Sequence, residues 1–189
     1  MKKIVIFASG TGSNAEKIIL HFKKSNLAHV VSIFSNNPRA KVLQLAENHK
    51  IDAVVFTKEE LNEGTVLEQL NAIQPDLIVL AGFLWKFPAS IIQYYPNKVI
   101  NIHPALLPKY GGKGMYGMHV HQAVLENKEE ETGITIHYVN EHYDEGTFIF
   151  QKKITVTDCT TSEQIAAKVH LLEHAFFPVV ISNILINHG

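Results

Sequence analysis

The chain contains only one cysteine, Cys159, among 189 residues. A single thiol cannot build an internal disulfide framework, and without further cysteines it cannot form a zinc knuckle. The sequence therefore argues against a disulfide-stapled secreted domain. A reducing cellular interior is the expected environment.

The chain also lacks an excess of charge of either sign. Its 17 lysine and arginine residues stand against 18 aspartate and glutamate residues, which gives a formal net charge of −1 at pH 7. Proteins that bind the phosphate backbone of nucleic acids usually carry a marked positive excess. We therefore expect small-molecule partners rather than nucleic acid. A monomer and a homodimer are both compatible with this composition.

Long apolar runs are likewise missing. Residues 1–8 superficially resemble a signal peptide, but the apolar stretch is short and runs into a glycine turn. No later segment approaches the length of a membrane span, so we expect a cytoplasmic protein without a membrane partner. A length of 189 residues with 46% apolar residues predicts a single domain over residues 1–189.

Short apolar runs do recur along the first hundred residues, and segments with helical spacing separate them. This alternation is typical of βα units, and runs that are apolar on both faces indicate a parallel sheet covered by helices. The predicted strands cover residues 4–8, 30–34, 53–56, 77–81 and 99–102. The predicted core faces of the helices contain Ile18, Ile19, Phe22, Val42, Leu43, Ala46, Val66, Leu67, Leu70 and Ile73.

The pattern changes after Pro104. A loop with four glycines (residues 110–118) precedes a short helix at 119–126, and strands are predicted at 132–139 and 148–156. Thr161 and Gln164 predict a capping box at the start of a long helix, which Pro178 should bend. The predicted fold is an open, mostly parallel, doubly wound α/β sheet of Rossmann-like type. It has helices on both faces and a C-terminal hairpin plus a long helix.

Residues suited to acyl chemistry stand at the end of the fifth predicted strand. Asn101 and His103 are two positions apart and therefore point to the same side of a strand, and Pro104 cannot continue a central ladder. In open α/β sheets ligands bind at the carboxyl ends of the strands. Each residue alone has an ordinary structural explanation. Together with Asp144, some forty residues later, they favour catalysis.

A glycine loop follows the first predicted strand and opens the first helix. Its sequence is Ser9-Gly10-Thr11-Gly12-Ser13-Asn14. Backbone amides at a helix start form an anion site, and the hydroxyl and amide side chains add donors suited to phosphate. The loop therefore predicts a phosphorylated ligand, with a ligand-free helix-start turn as the alternative.

The same loop also fits a dinucleotide fingerprint through Gly10, Gly12 and Ala15. An NAD-binding protein needs an acidic residue after the second strand, and this chain has none there. Arg39 could instead meet a 2′-phosphate. An NADP-dependent oxidoreductase and a non-catalytic nucleotide-binding module remain alternatives, although an oxidoreductase gives no role to Asn101, His103 and Asp144.

In combination the motifs resemble the phosphoribosylglycinamide formyltransferase family over essentially the whole chain. The segments that carry the resemblance are Ser9 to Asn14, Leu80-Ala81-Gly82-Phe83, Asn101-Ile102-His103-Pro104-Ala105-Leu106-Leu107-Pro108 and Glu173-His174. The resemblance implies transfer of the formyl group of 10-formyltetrahydrofolate, a co-substrate, to the amine of glycinamide ribonucleotide. This step of purine synthesis gives formylglycinamide ribonucleotide and tetrahydrofolate, and it needs no metal.

The resemblance also implies roles for particular side chains, which fall into catalytic, substrate-binding and folate-binding groups. The catalytic residues would be Asn101, His103 and Asp144; Gly12, Ser13 and Asn14 would hold the substrate phosphate, Glu173 would contact the substrate at its amine or ribose side, and Leu84, Trp85, Lys86, Phe87 and Asn101 would border the folate.

The same residues permit this chemistry when they are considered without the resemblance. Attack of an amine on a formyl carbon develops negative charge on oxygen, which the Asn101 amide and a protonated His103 could stabilise. A nearby Asp144 carboxylate favours the imidazolium form and could help to move the proton that the amine loses.

The chain departs from the family pattern in three places. Leu84-Trp85-Lys86 stands where Met-Arg is usual after Ala-Gly-Phe, which leaves the folate contacts open and allows Trp85 to be a core residue. The loop at 111–118 is longer than the usual link, so it is either a mobile lid or an ordinary surface insertion. His170 stands where the family often has glutamine, which puts one substrate contact in doubt.

His119 and His121 could suggest a metal site, but no cysteine or acidic partner joins them at ligand spacing. We therefore expect no metal. Within the superfamily the nearest rival is a hydrolase that releases formate from the same folate, and a transferase acting on initiator tRNA is another. The first usually carries an extra amino-terminal domain, and the second an extra carboxyl-terminal domain with more positive charge.

Overall fold

The structure is a computed structural model that describes residues 1–187. The strands are β1 (Lys2–Phe7), β2 (Ala28–Ser35), β3 (Asp52–Val55), β4 (Leu77–Leu80), β5 (Val99–His103), β6 (Glu131–Tyr138) and β7 (Phe148–Thr155). The helices are α1 (Ser13–Phe22), α2 (Lys41–His49), α3 (Lys58–Glu63), α4 (Thr65–Ile73), α5 (Ala89–Tyr94), α6 (Met118–Glu126) and α7 (Ser162–Asn187).

The strands form a seven-stranded sheet in the order β3-β2-β1-β4-β5-β6-β7. The pairs among β1 to β5 are parallel, whereas β6 runs antiparallel to β5 and forms an antiparallel hairpin with β7. This confirms the predicted fold class, and every predicted strand lies within two residues of an observed one. The agreement follows from the strong period-two and buried-run patterns of these segments.

The core lies in two layers, one on each face of the sheet. Along β1, Ile4 and Ile6 join the cluster that contains apolar residues of α1, α2 and α7, while Val5 and Phe7 join the cluster of α3, α4 and α5. All four side chains are fully buried. Burial of each such side chain stabilises the fold by roughly 1.5 to 3 kcal/mol. Because β1 is covered on both faces, its apolar run is uninterrupted.

Two details of the sequence-based fold were wrong or incomplete. β3 lies at the edge of the sheet and is largely exposed, so its apolar residues do not indicate cover on both faces. The short helices α3 and α5 were not predicted. For α3 a signal was present, because Thr57 and Glu60 form a complete capping box.

The predicted capping box of α7 is only half formed. The Thr161 hydroxyl accepts a hydrogen bond from the Gln164 amide at 3.3 Å, as expected. The Gln164 side chain, however, accepts from the Thr160 amide at 2.7 Å instead of reaching the Thr161 amide. Pro178 lies inside the continuous helix Ser162–Asn187, and the bend expected there stays a prediction.

The expectation that no segment has the length of a membrane span was wrong for α7. This helix has 26 residues, and its most apolar window has a mean hydropathy of 1.6, with 44% of the window buried inside the protein. Length and composition alone are weak evidence for a membrane span, because a core helix has the same properties. α7 packs against α1, α6 and β6 and contributes to the larger core cluster.

The strand order places three loops at one edge of the sheet. β1, β4 and β5 are neighbours and run parallel, so the loops that follow Phe7, Leu80 and His103 all leave from their carboxyl ends. The order of the strands reverses between β1 and β4. In doubly wound sheets such a reversal opens a crevice that binds ligands.

Candidate active site

A cavity of about 530 Å³ opens at this edge of the sheet. It is lined by the glycine loop after β1, the loop after β4, the end of β5, the β6–β7 connection and parts of α6 and α7. Every residue that the sequence suggested for the site lines this cavity: Gly12, Ser13, Asn14, Leu84, Trp85, Lys86, Phe87, Asn101, His103, Asp144 and Glu173. The fold thus brings together segments that are far apart in the chain.

The hairpin between β6 and β7 determines where Asp144 lies. The Tyr138 amide donates to the Thr147 carbonyl at 2.9 Å and closes the connection. A Cβ at Gly146 would lie 1.6 Å from the Tyr138 carbonyl oxygen, so only glycine allows this close return. Asp144 itself has φ 58°, a left-handed conformation that aspartate tolerates better than most residues. The chain therefore turns the carboxylate back toward β5.

Asp144 contacts both residues that were predicted at the end of β5. Its Oδ1 lies 3.5 Å from Nδ1 of His103 and 3.5 Å from Nδ2 of Asn101. Its Oδ2 accepts a hydrogen bond from the Gly112 amide at 3.0 Å. The side chain is only 11% exposed. The three residues named from the sequence thus form one cluster.

His137 is a fourth member of this cluster, and the sequence analysis missed it. It lies on β6 directly opposite Asn101. Its Nε2 is 3.2 Å from Asn101 Nδ2 and 3.6 Å from Asp144 Oδ1, while its Nδ1 lies 2.9 Å from the Tyr138 carbonyl. Because only a protonated Nδ1 can donate to that carbonyl, Nε2 accepts from Asn101 when the ring is neutral. The sequence signal was a histidine near the carboxyl end of a predicted strand, but the strand that pairs with it depends on the fold.

The ring of His103 is held between a carbonyl and a carboxylate. Nε2 donates to the Tyr110 carbonyl at 2.6 Å, and Nδ1 faces Asp144. Burial lowers the pKa of His103, and this outweighs the opposite effects of Asp144 and the Tyr110 carbonyl. The sequence analysis correctly expected Asp144 to raise the pKa of His103, but it did not include the larger, opposite effect of burial. At neutral pH the His103 ring is therefore mainly neutral in this structure.

Asp144 remains ionised beside it. Burial alone would raise the pKa of Asp144, but contact with His137, interaction with the protonated form of His103 and the Gly112 amide together lower it below the usual range. A charged carboxylate next to a neutral imidazole stabilises an added proton on that imidazole. The cluster can therefore take up a proton during a reaction.

The glycine loop supplies another part of the cavity wall. Gly12 has φ 79° and precedes α1, which begins at Ser13 without a side-chain cap. The first amides of a helix have no partner within the helix, so here they are available to an anion. Gly12 also lies against Val42 of α2, and the Val42 amide donates to the Gly10 carbonyl at 3.1 Å. Packing against α2 thus fixes the shape of the loop.

Glu173 connects the glycine loop to α7. Its Oε2 accepts from Asn14 Nδ2 at 3.0 Å and lies 2.8 Å from Nδ1 of His170. The side chain of Glu173 is only 6% exposed, whereas that of His170 is 52% exposed. His170 also lines the cavity. A buried carboxylate, an amide and an imidazole therefore stand side by side near the predicted phosphate site.

The residues predicted to border a folate differ in how far they are buried and in what they contact. Phe87 is 4% exposed, and its ring centroid lies 5.1 Å from that of Phe7, so it is mainly a core residue. Trp85 packs edge-on against Phe56 and Phe83 and also lines the cavity. It is therefore both a core residue and a residue that faces the predicted folate site. Leu84 is 47% exposed at the cavity.

The glycine-rich loop over residues 111–118 is part of the site. It lines the cavity from Gly112 to Met118, and Gly112 binds Asp144. An ordinary surface insertion does not account for these contacts, while movement as a lid stays a prediction.

His119 and His121 differ in their exposure to solvent. His119 is exposed, whereas His121 is 2% exposed and lies in the cavity wall. Within residues 1–187 no group of three or more metal-binding side chains is arranged around a common point.

His121 should make the folded protein sensitive to acid. Burial, followed by the charge of His170, lowers its pKa to about 4, against a usual value near 6.5. Between these values the unfolded chain binds a proton that the folded chain does not, so stability is lost as the pH falls from about 6.5 to about 4. We expect His121 to account for roughly 2 kcal/mol of the loss of unfolding free energy between pH 7 and pH 5.

Urea unfolding of His121→Leu at the two pH values measures this contribution. The variant should lose much less stability on acidification than the parent protein. His119→Leu is the matched control on the same helix, because His119 is exposed, and it should keep the parent's pH dependence. An unchanged acid sensitivity in His121→Leu would contradict the expectation.

A family model described as formyl transferase matches residues 2–181. The phosphoribosylglycinamide formyltransferase of Bacillus subtilis is 37% identical over 191 residues, covering 98% of this chain and 95% of that protein. The chloroplastic phosphoribosylglycinamide formyltransferase of Vigna unguiculata is 36% identical over 95% of this chain, which spans only 60% of that longer protein. A solved phosphoribosylglycinamide formyltransferase from Anaplasma phagocytophilum has a TM-score of 0.90 at 27% identity, over 98% of this chain and 87% of the other.

Proposed function

Because the chain belongs to the formyl transferase family, we propose that it is a phosphoribosylglycinamide formyltransferase. It transfers the formyl group of 10-formyltetrahydrofolate to the amine of glycinamide ribonucleotide. The products are formylglycinamide ribonucleotide and tetrahydrofolate, and the reaction belongs to de novo purine synthesis. One cavity joins a helix-start anion site to the cluster around Asp144, and this observation supports the proposal best.

The proposed roles begin with the substrate. The amides at Gly12, Ser13 and Asn14 hold its phosphate, since a helix start attracts a doubly charged anion. The amine then extends along the cavity toward β5, with Glu173 beside it. Anchoring the phosphate at a distance converts binding into correct placement of the nucleophile.

The chemical step follows from the proton positions in the cluster. The amine nitrogen attacks the formyl carbon, a C–N bond forms, and the carbonyl electrons move onto oxygen. The proton lost by the amine passes to Nδ1 of His103, which is mainly neutral and faces the Asp144 carboxylate. The resulting imidazolium, stabilised by Asp144, lies close to the new oxyanion. Breakdown of the intermediate breaks the bond to the folate N10, which takes the proton as it leaves.

Asn101 is the proposed neutral donor to the oxyanion. Its Nδ2 is already bonded to His137 Nε2 at 3.2 Å and more weakly to Asp144 Oδ1 at 3.5 Å. The longer bond is the one that a developing oxyanion replaces, while His137 keeps the amide oriented. The folate lies along residues 84–87, with Leu84 and Trp85 as the apolar contacts that face the cavity.

Trp85 provides a direct test of the folate side, because it is the chain's only tryptophan. Binding of an unreactive folate analogue should quench its fluorescence in a saturable way. Loss of the aromatic contact in Trp85→Ala should weaken analogue binding roughly three- to tenfold, since such contacts contribute about 0.5 to 1.5 kcal/mol. Trp85→Phe, which keeps a ring, should retain most of the affinity. Analogue binding without any change in Trp85 fluorescence would place the folate elsewhere.

The remaining proposals concern organisation and location. We propose that residues 1–189 form a single formyltransferase domain, that its partners are small molecules rather than nucleic acid or membrane, and that it acts as a monomer or homodimer. A cytoplasmic location stays a prediction, because the relatives include a chloroplastic protein as well as bacterial ones.

Formation of tetrahydrofolate by the purified protein tests the proposed function. The assay supplies 10-formyltetrahydrofolate with and without glycinamide ribonucleotide. Product that appears only with the amine substrate supports the transferase. Product in its absence would indicate a hydrolase that releases formate. No product in either mixture would reject both and favour a nucleotide-binding module or an NADP-dependent enzyme.

A further inference from the structure

The cavity contains two buried carboxylates at a site proposed to bind an anion. Asp144 is 11% exposed and Glu173 only 6%. Glu173 is one hydrogen bond from the glycine loop, because its Oε2 binds Asn14 Nδ2 at 3.0 Å. A phosphate monoester carries a charge of about −1.5 to −2 at pH 7. Its approach to the loop is therefore opposed by a carboxylate placed only one side chain away.

Few cationic groups around the cavity can offset this charge. Lys86 and Lys113 line it but are exposed, which screens their charge. Burial lowers the pKa of both His103 and His121, so these rings are mainly neutral near pH 7. His170 differs, since its Nδ1 lies 2.8 Å from the Glu173 carboxylate. It is the cavity cation in direct contact with the carboxylate nearest the loop.

We propose that His170, as an imidazolium paired with Glu173, neutralises the carboxylate beside the glycine loop and thereby strengthens binding of the phosphate group. The inference deepens the proposed function, on which its choice of a phosphorylated ligand rests. Glu173 is retained for contacts with the amine or ribose part of the substrate, and His170 reduces its repulsion of the phosphate. His170 is thus a positioning residue that acts through charge rather than on the reacting atoms.

The surroundings of His170 agree with this role. Hydrogen bonding to Glu173, which outweighs desolvation, raises the pKa of His170 above its usual value. His121 on α6 lies beside the His170 ring, and Glu173 and His174 are its charged and titratable neighbours on α7. One step further out, Glu16 and Lys17 on α1 act on His174, and His103 on β5 acts on His121. Since His103, His121 and His174 all have lowered pKa values, His170 is the histidine of this group that stays protonated to higher pH.

Binding of ribose 5-phosphate, measured by calorimetry at about pH 6 and about pH 8.5, tests the proposal. This probe has the phosphate and the sugar but no amine. At pH 6, His170→Gln should bind it roughly three- to fivefold more weakly than the parent protein, a modest effect because half of the His170 side chain is exposed to solvent. As the pH rises to 8.5 the parent protein loses the charge at His170, whereas the glutamine of the variant is uncharged at both pH values, so the ratio of the two dissociation constants should move toward one. The ligand's own titration cancels in this ratio.

Two further variants separate charge from structure. His174→Gln changes a neighbouring histidine on the same helix, whose ring lies 6.1 Å from that of His170 and whose pKa is lowered by burial. Its ratio to the parent should not depend on pH. His170→Lys keeps a cation at both pH values and should bind the probe more tightly than the parent at pH 8.5. A His170→Gln ratio that is equal at the two pH values, or no binding of the probe to the parent protein, would overturn the proposal.

Failure of the proposed function gives a different result. If the protein forms no tetrahydrofolate but shows the pH-dependent ratio, the anion site and its charge compensation stand without the transferase activity. If transfer occurs but the ratio is constant, the transferase stands and the role of His170 is wrong.

Discussion

Replacing Asp144 with asparagine should lower kcat by about 10²- to 10⁴-fold, the usual contribution of a positioned group in proton transfer. Asparagine has nearly the same shape and can still accept the hydrogen bond that the Gly112 amide donates to Oδ2. It carries no charge, however, so an imidazolium formed at His103 loses the carboxylate that lies 3.5 Å from Nδ1. The step that moves the amine proton becomes unfavourable, while the ground-state cavity keeps its form. The dissociation constants of both substrates should therefore change only slightly.

Steady-state kinetics and direct binding measurements distinguish these effects. Glu145→Gln is the matched control, because it removes a carboxylate from the next residue, which is exposed. That variant should keep the parent's kcat. Comparable losses in turnover and in substrate affinity for Asp144→Asn would indicate a structural role instead of a catalytic one.

Replacing Gly12 with alanine should raise the KM for the phosphorylated substrate by roughly 10- to 100-fold. An added Cβ would lie 2.6 Å from Val42 Cγ2, 2.8 Å from Val42 Cβ and 3.1 Å from Val42 Cα. Backbone and Cβ atoms of α2 cannot rotate away, so the glycine loop must shift. Misplacement of one amide donor to a charged group, which costs about 1.5 to 3 kcal/mol, corresponds to that loss of affinity.

The same variant should also lose about 1 to 3 kcal/mol of unfolding free energy, because alanine is strained at φ +79°. Gly64→Ala separates this strain from the clash. Gly64 has φ +103° but no heavy atom within 4 Å of an added Cβ, and it lies between α3 and α4, away from the cavity. Gly64→Ala should lose stability but keep its KM. If Gly12→Ala keeps the parent's KM, the glycine loop does not bind the phosphate.

Most of the fold was accessible from the sequence, because strand and helix periodicities are local properties. The alternation along β1 alone identifies the two faces of the sheet, since Ile4 and Ile6 pack on one side and Val5 and Phe7 on the other. Short elements carry weaker signals. α5 has only six residues and no side-chain cap, so nothing local distinguished it from a loop.

The location of the site was also accessible, because the carboxyl ends of parallel strands meet at one edge of a sheet. Asn101 and His103 could be placed there from their spacing and from Pro104 alone. Asp144 was grouped with them for its chemistry, but no local feature of the sequence places it beside them. The cause of their closeness is the return of the β6–β7 hairpin past Gly146, a contact that no periodicity encodes.

The sequence by itself thus determined the order of the seven strands along the chain, the glycine loop and the edge of the sheet that carries the chemistry. Only the tertiary structure decided that His137 joins Asn101, that the Tyr110 carbonyl holds the His103 ring, and that burial outweighs Asp144 in the pKa of His103. The physical reason is one of range. Side-chain periodicity depends on neighbours in the chain, whereas desolvation and charge interactions depend on distances between segments that only the packed fold defines.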